Sequence, residues 1–135
     1  MPDLWTSAKR SEVMSKIRSR DTGPERRLRA ALRRAGLRYR SYYKVAGVKT
    51  DIVLMDLDTI LMVHGCFWHG CKRHYTPPSD NALFWRRKLV SNRARDARQV
   101  RLLRKAGWRV VTVWEHSVSN NHMADLVAER LRRKA

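Results

Sequence analysis

The sequence predicts an α/β domain, a mixed β-sheet flanked by helices on both faces. Three observations predict it. Asp51-Ile52-Val53-Leu54 and Thr59-Ile60-Leu61-Met62-Val63 are apolar at consecutive positions, as strands buried on both faces are. Segments with apolar residues at helical spacing lie on either side, giving the order ααβββαβα. Finally, 135 residues with no repeat, low-complexity tract or Gly/Ser linker make one domain, 1–135, long enough to bury a core without disulfides.

Residues 1–20 read as a basic arm or helix with only Met14 and Ile17 on one side. One apolar edge holds a helix weakly in a core, so this arm is expected to order against a partner. Asp21-Thr22-Gly23-Pro24-Glu25 reads as a helix start, with Thr22 or Asp21 as cap and Pro24 in the first turn. Leu28, Ala31, Leu32 and Ala35 form the buried stripe, and Gly36 ends the helix. A weakly alternating strand over 39–45 comes next, then the strands at 51–54 and 59–63, joined by a turn at 56–58. After a Cys/His loop and the Pro77-Pro78 break, a long helix is expected over about 81–106. Val90, Ala94, Ala97, Val100 and Leu103 should face inward, and Gly107 should close it. Trp-Arg-Val-Val-Thr-Val-Trp at 108–114 is a strong strand whose tryptophans read as core. A last helix carries Met123, Leu126, Val127 and Leu131.

Thirty Lys and Arg against twelve acidic residues give a net charge of +18, which calls for a polyanionic partner, nucleic acid first. The 43% hydrophobic content speaks against disorder. An acidic membrane would attract the same charge, but no stretch approaches the roughly 18–20 apolar residues of a span. No secretory signal pattern opens the chain either. An intracellular protein is expected, where two thiols near histidines point to metal more than to a disulfide.

The chemistry concentrates in His64-Gly65-Cys66-Phe67-Trp68-His69-Gly70-Cys71-Lys72-Arg73-His74, which holds both cysteines and three of the five histidines. If the strands before it pair as a hairpin, Asp51 and His64 share one end of the sheet. A carboxylate, a strand-end carbonyl and imidazoles at one point can hold Mg²⁺ and handle protons. The plainer alternative is that Asp51 caps the loop around Lys49. Many Mg²⁺ nucleases place a second acid and a lysine on the following strand, and this strand has neither. Asp56 and Asp58 fall in the turn at the opposite end, so His64 and His69 are the candidates to replace the lysine. Cys66, Cys71 and His74 offer three ligands to a tetrahedral Zn²⁺, with His116 the best fourth, His69 a competitor and His122 more remote. The alternative is a pair of buried free thiols.

Phe67-Trp68 and Phe84-Trp85 lie beside heavy basic charge, a pattern that suits stacking on or between bases. Arg86, Arg87, Lys88 and Arg93 adjoin Trp85 and are the residues of the long helix best placed for phosphate or base contacts.

With these residues in place, the chain resembles the Vsr endonucleases of very-short-patch DNA mismatch repair, from Arg10-Ser11 to Trp114-Glu115. The resemblance rests on Met14-Ser15-Lys16-Ile17, Arg20-Asp21-Thr22-Gly23-Pro24-Glu25, His64 to Cys71, Phe84-Trp85, Asn92-Arg93-Ala94-Arg95-Asp96 and Gly107-Trp108-Arg109-Val110. It implies a PD-(D/E)XK-like nuclease (restriction-endonuclease-like) fold with a structural zinc site. It also implies a strand-specific, Mg²⁺-dependent nick beside the T of a T·G mismatch, the product of 5-methylcytosine deamination. Asp51 then holds magnesium with the main-chain carbonyl of Val63. His69 serves the attacking water, His64 is a second catalytic imidazole, and Glu25 orders the site from its helix. Phe67, Trp68 and Trp85 match an aromatic wedge, Met14 and Ile17 an arm to the opposite groove, and Lys88 and Asn92 positions that read the mismatched pair. Local alignment places the zinc on Cys66, Cys71, His74 and His116. The family often has proline before the metal aspartate, where this chain has Thr50, a change expected to shift geometry more than chemistry.

The reading is therefore a DNA endonuclease with Mg²⁺ catalytic and Zn²⁺ structural, acting on double-stranded DNA as a monomer in a prokaryotic cytoplasm at the nucleoid, with repair proteins following it. Two alternatives predict different behaviour. A relaxed-specificity PD-(D/E)XK-like nickase or restriction-associated nuclease would ignore mismatches. A zinc-stabilised DNA-binding module would bind without cutting and would have no use for Glu25, Asp51, His64 and His69 together.

Overall fold

A computed structural model of the chain describes residues 21–66, 71 and 80–133. Its first helix, α1 (Gly23–Arg34), starts where Thr22 caps it: the Thr22 hydroxyl accepts from the Glu25 N–H at 3.4 Å. Pro24 sits in the first turn, where its missing N–H leaves no bond unmade. Arg33 and Arg34 lie at the negative end of the helix dipole, and Gly36, at φ +77°, turns the chain away. Leu28, Ala31 and Leu32 are buried as their spacing predicts, with Ala35 partly buried against them.

Among the described residues six short strands follow: β1 (Arg40–Ser41), β2 (Lys44–Val45), β3 (Val48–Lys49), β4 (Ile52–Leu54), β5 (Thr59–His64) and β6 (Arg109–Trp114). The main sheet has the order β1-β4-β5-β6, antiparallel except for the parallel pair β5–β6, so it is mixed as expected. β4 and β5 are its central strands, which is why they are apolar on both faces. A 3₁₀ turn (Met55–Leu57) and Asp58, in the left-handed conformation at φ 47°, join them. A parallel pair needs a long connection, and the helix α2 (Ala82–Lys105) lies within the one between β5 and β6. A second 3₁₀ turn (Glu115–Val118) leads into α3 (Asn121–Arg133).

Alternation along the strands divides the core in two. On one face Ile52, Leu54, Leu61 and Val113 pack with Leu28 and Leu32 of α1 and with Ala124, Ala128 and Leu131 of α3. On the other, Val53, Ile60, Met62 and Val110 pack with Leu103 of α2 and with Val45 and Val48. Side chains of successive strand residues point to opposite faces, so this division follows from the register alone.

Several expectations need correction. The strand expected over 39–45 is broken at Tyr42, whose φ of +57° reverses the chain, and its second part pairs with β3 instead. The β2–β3 hairpin turns through Ala46 and Gly47, both at positive φ, the conformation of a type I′ turn. Ala46 is not a residue whose chemistry announces such a turn. In α2, Val90 is 61% exposed and Ala94 and Ala97 face outward, while Trp85, Asn92 and Leu103 are buried. The inward face carries a polar residue, so apolar spacing could not reveal it. In α3 the buried residues are Ala124, Ala128 and Leu131, with Leu126 exposed, because small alanines allow α3 close to α1. Trp108 and Trp114 are only partly buried. The helix expected in 1–20 lies outside the described residues. Among the described residues, no helix is long and apolar enough to cross a membrane.

Candidate functional site

Because β4 and β5 run antiparallel, the start of one and the end of the other meet at the same end of the sheet. Continuing the register from Ile52↔Leu61 by one residue puts Asp51 opposite Met62. The half-buried Asp51 side chain turns onto β5, where its Oδ2 accepts from the Val63 N–H at 2.7 Å. That bond fixes the carboxylate against the residue whose carbonyl was expected to join it. His64, the last residue of β5, is 7% exposed and pairs in register with Trp114. Its ring stands edge-on to the indole, centroids 5.4 Å apart and planes at 79°, so the imidazole is held in orientation by an apolar wall.

Thr50, before Asp51, is 1% exposed; its N–H at 3.4 Å and its hydroxyl at 2.5 Å both donate to the Tyr43 carbonyl. Proline could make neither bond, so threonine ties the approach to Asp51 in a way of its own. Glu25, 2% exposed, is surrounded by donors from neighbouring segments. Its Oε2 accepts from the Asp21 N–H at 3.0 Å and the Tyr42 hydroxyl at 2.5 Å, with Arg29 Nη1 at 3.6 Å. Tyr42 in turn donates its main-chain N–H to the Asp51 carbonyl at 3.0 Å. The buried acid of α1 thus reaches the Asp51 segment through one tyrosine.

Beyond the ends of β5 and β6 lies a second cluster. Cys66, Cys71 and His116 bring their donor atoms within 4.8 Å of one another. His116 Nδ1 is 3.2 Å from Cys66 Sγ and 3.5 Å from Cys71 Sγ. Two such ligands on a tetrahedral zinc stand about 3.6 Å apart, given bond lengths near 2.3 Å to sulfur and 2.0–2.1 Å to nitrogen. Donor types and spacing therefore fit a soft divalent cation. Both cysteines are buried and neither is in a disulfide. Burial, then the neighbouring Cys71 and Glu115, pushes the Cys66 thiol up to about 11, with His116 opposing; a cation there would reverse that preference. Two main-chain donors hold the cluster: Cys71 N–H to the Cys66 carbonyl at 3.0 Å, and Cys66 N–H to the Glu115 side-chain Oε1 at 2.7 Å. His122 is exposed at the start of α3 and is not part of this group.

The first turns of α2 present a basic, partly apolar face. Leu83 and Phe84 are 59% and 42% exposed, and Arg86, Arg87 and Lys88 are exposed beside them. Phe84 and Trp85 stand edge to face with centroids 4.9 Å apart, but Trp85 is 4% exposed and Asn92 6%. Met14, Ile17, Phe67, Trp68, His69 and His74 lie outside the described residues. The sequence reading missed Tyr42, Glu115 and the Trp114 wall. Glu115, beside His116 just after a strand, carried a signal that could have been used; Tyr42 carried none.

The family model described as DNA mismatch endonuclease Vsr matches residues 2–75. A type II nicking enzyme, V.NmeAIP of Neisseria meningitidis, is 41% identical over 98% of this chain and 94% of its own. The DNA mismatch endonuclease Vsr of Escherichia coli K12 is 35% identical over 85% of this chain and 74% of its own. Among solved structures, the homing endonuclease I-Bth0305I catalytic domain superposes with a TM-score of 0.55 at 20% identity, covering 84% of this chain and 93% of that one, which establishes a restriction-endonuclease-like fold. Taken with the site geometry, these matches show that the chain belongs to the Vsr family of DNA mismatch endonucleases and is a DNA endonuclease.

Proposed function

We propose that the protein makes a Mg²⁺-dependent single-strand nick next to the T of a T·G mismatch in duplex DNA, as left by 5-methylcytosine deamination. The observation that carries this reading is the end of the β4–β5 hairpin, where Asp51 is held on Val63 beside an oriented His64. Magnesium is held by one or two carboxylates and keeps several waters, which suits a half-buried aspartate at a strand end. Asp51 and the main-chain carbonyl of Val63 hold it, and when bound it polarises the scissile phosphate and offsets its developing charge. His69 takes the proton of the attacking water, and His64 serves as a second imidazole at the same phosphate. Glu25 orders the site from α1. Cys66, Cys71, His74 and His116 hold a structural zinc.

Phe67, Trp68 and Trp85 enter the duplex beside the mismatch, Met14 and Ile17 approach from the opposite groove, and Lys88 and Asn92 read the pair. Unstacking a step costs a few kcal/mol, and a wobble pair stacks less well than a matched one, so the mismatch is the cheaper DNA to deform. Trp85 is covered in the free protein, so its entry needs that cover to move, whereas Phe84 is already presented. One asymmetric mismatch needs one protomer, so the protein acts as a monomer on cytoplasmic, nucleoid DNA and leaves the nick to other repair proteins.

Asp51→Ala tests this reading. Nicking should be abolished while binding to T·G duplex persists; nicking at the wild-type rate would remove Asp51 from the site. The nicking-enzyme names of several relatives favour a second reading, a nickase of relaxed specificity, which predicts equal cutting of matched and mismatched duplexes.

A further inference from the structure

Tyr42 stands at the break between β1 and β2 with φ +57°, a conformation that a bulky residue keeps only where its surroundings determine it. Two bonds made by the same residue determine it here. Its main-chain N–H donates to the Asp51 carbonyl at 3.0 Å, and its hydroxyl donates to Glu25 Oε2 at 2.5 Å. Glu25 is itself fixed by α1, by the Asp21 N–H and by Arg29, whose guanidinium also comes within 3.4 Å of the Tyr42 oxygen. Asp21 donates its N–H to that oxygen as well.

We propose that Tyr42 is a positioning residue for the metal-binding aspartate: anchored on Glu25 through its hydroxyl, it fixes the backbone of Asp51 so that the carboxylate is in place before the cation arrives. The inference rests on the reading of Asp51 as the magnesium ligand. It gives Glu25 a route of action that needs no contact with the metal, because its Oε2 is committed to donors of the protein. Without the hydroxyl bond, Tyr42 has nothing on Glu25 to hold its left-handed conformation, and the Asp51 segment gains freedom that cation binding must then remove. The cost falls on metal affinity rather than on the chemical step or on DNA binding.

Tyr42→Phe keeps the ring and the N–H and removes only the hydroxyl. The Mg²⁺ concentration for half-maximal nicking should rise about tenfold, the effect of losing one hydrogen bond to a charged group. The rate at saturating Mg²⁺ and the KM for DNA should stay near wild type. Apart from activity, amide hydrogen exchange over 42–52 should quicken in the metal-free protein. Glu25→Gln probes the same bond from its other side should Tyr42→Phe fold poorly, and the double variant should be no worse than the worse single one. Wild-type Mg²⁺ dependence and wild-type exchange in Tyr42→Phe, or fully additive effects in the double variant, would overturn the proposal. Asp51→Asn separates the two inferences. If it nicks like wild type, the magnesium reading itself fails; if it is inactive while Tyr42→Phe is unchanged, only the role of Tyr42 fails.

Discussion

The β4–β5 hairpin has aspartates at both ends, and Asp51 and Asp56 are treated differently. Asp56, in the 3₁₀ turn, is exposed and meets the exposed Arg38 in a two-pronged ion pair at 3.0 and 3.1 Å. Asp51, at the other end, is half-buried, accepts a backbone N–H from β5, and has its own carbonyl held by Tyr42. The turn end is covered by its own short loop, whereas at the other end the chain arrives from β3 and departs toward Cys66, and β6 ends beside it at Trp114. A carboxylate becomes useful where several segments converge to fix it and where water is partly excluded. At a solvated turn the same group is a surface charge of little consequence.

Neutralising Asp51 and Asp56 in turn should separate the two ends of the hairpin by the widest margin. Asp51→Asn should lower nicking by at least about 10⁴-fold, on the order of 5 kcal/mol of barrier, with the fold intact by circular dichroism. Asp56→Asn should leave the rate unchanged in the same assay. Next in size is the candidate metal cluster of Cys66, Cys71 and His116. Cys66→Ser should abolish zinc retention in elemental analysis and cost on the order of 4 kcal/mol in denaturant unfolding, as losses of bound metal do. Retained zinc and unchanged stability would mean that Cys66 and Cys71 are ordinary buried thiols. At the turn end, Thr59 is 2% exposed and its hydroxyl donates to the Leu57 carbonyl at 2.9 Å. Thr59→Val should cost about 1 kcal/mol and leave nicking alone. The smallest effect is expected of Arg38→Ala, which should change neither melting temperature nor rate.

The sequence shows the two ends of the hairpin unequally. β4 and β5 are legible because central strands must be apolar on both faces, and α1 because Thr22, Pro24 and Gly36 mark its limits. The joining of Asp51 to the end of β5, and of His116 to the cysteines, follows from strand order, so a motif reading could anticipate both. Tyr42 could not be anticipated. Its importance comes from a positive φ and two bonds to distant segments, neither of which leaves a pattern in the sequence. The inward face of α2 was hidden for a related reason: Trp85 and Asn92 are buried, while Val90, which looks like core, is exposed. Periodicity reports packing, and it fails where a helix turns a polar residue inward.

The proposed activity is nicking of DNA at T·G mismatches with magnesium at Asp51. End-labelled duplexes carrying T·G, in a panel of flanking sequences and beside matched controls, test it most directly when incubated with Mg²⁺ or with chelator. A Mg²⁺-dependent nick on the T strand alone is expected, in a subset of contexts, with matched duplexes left whole. Equal cutting of matched duplexes, or binding without cutting in every context, would contradict it.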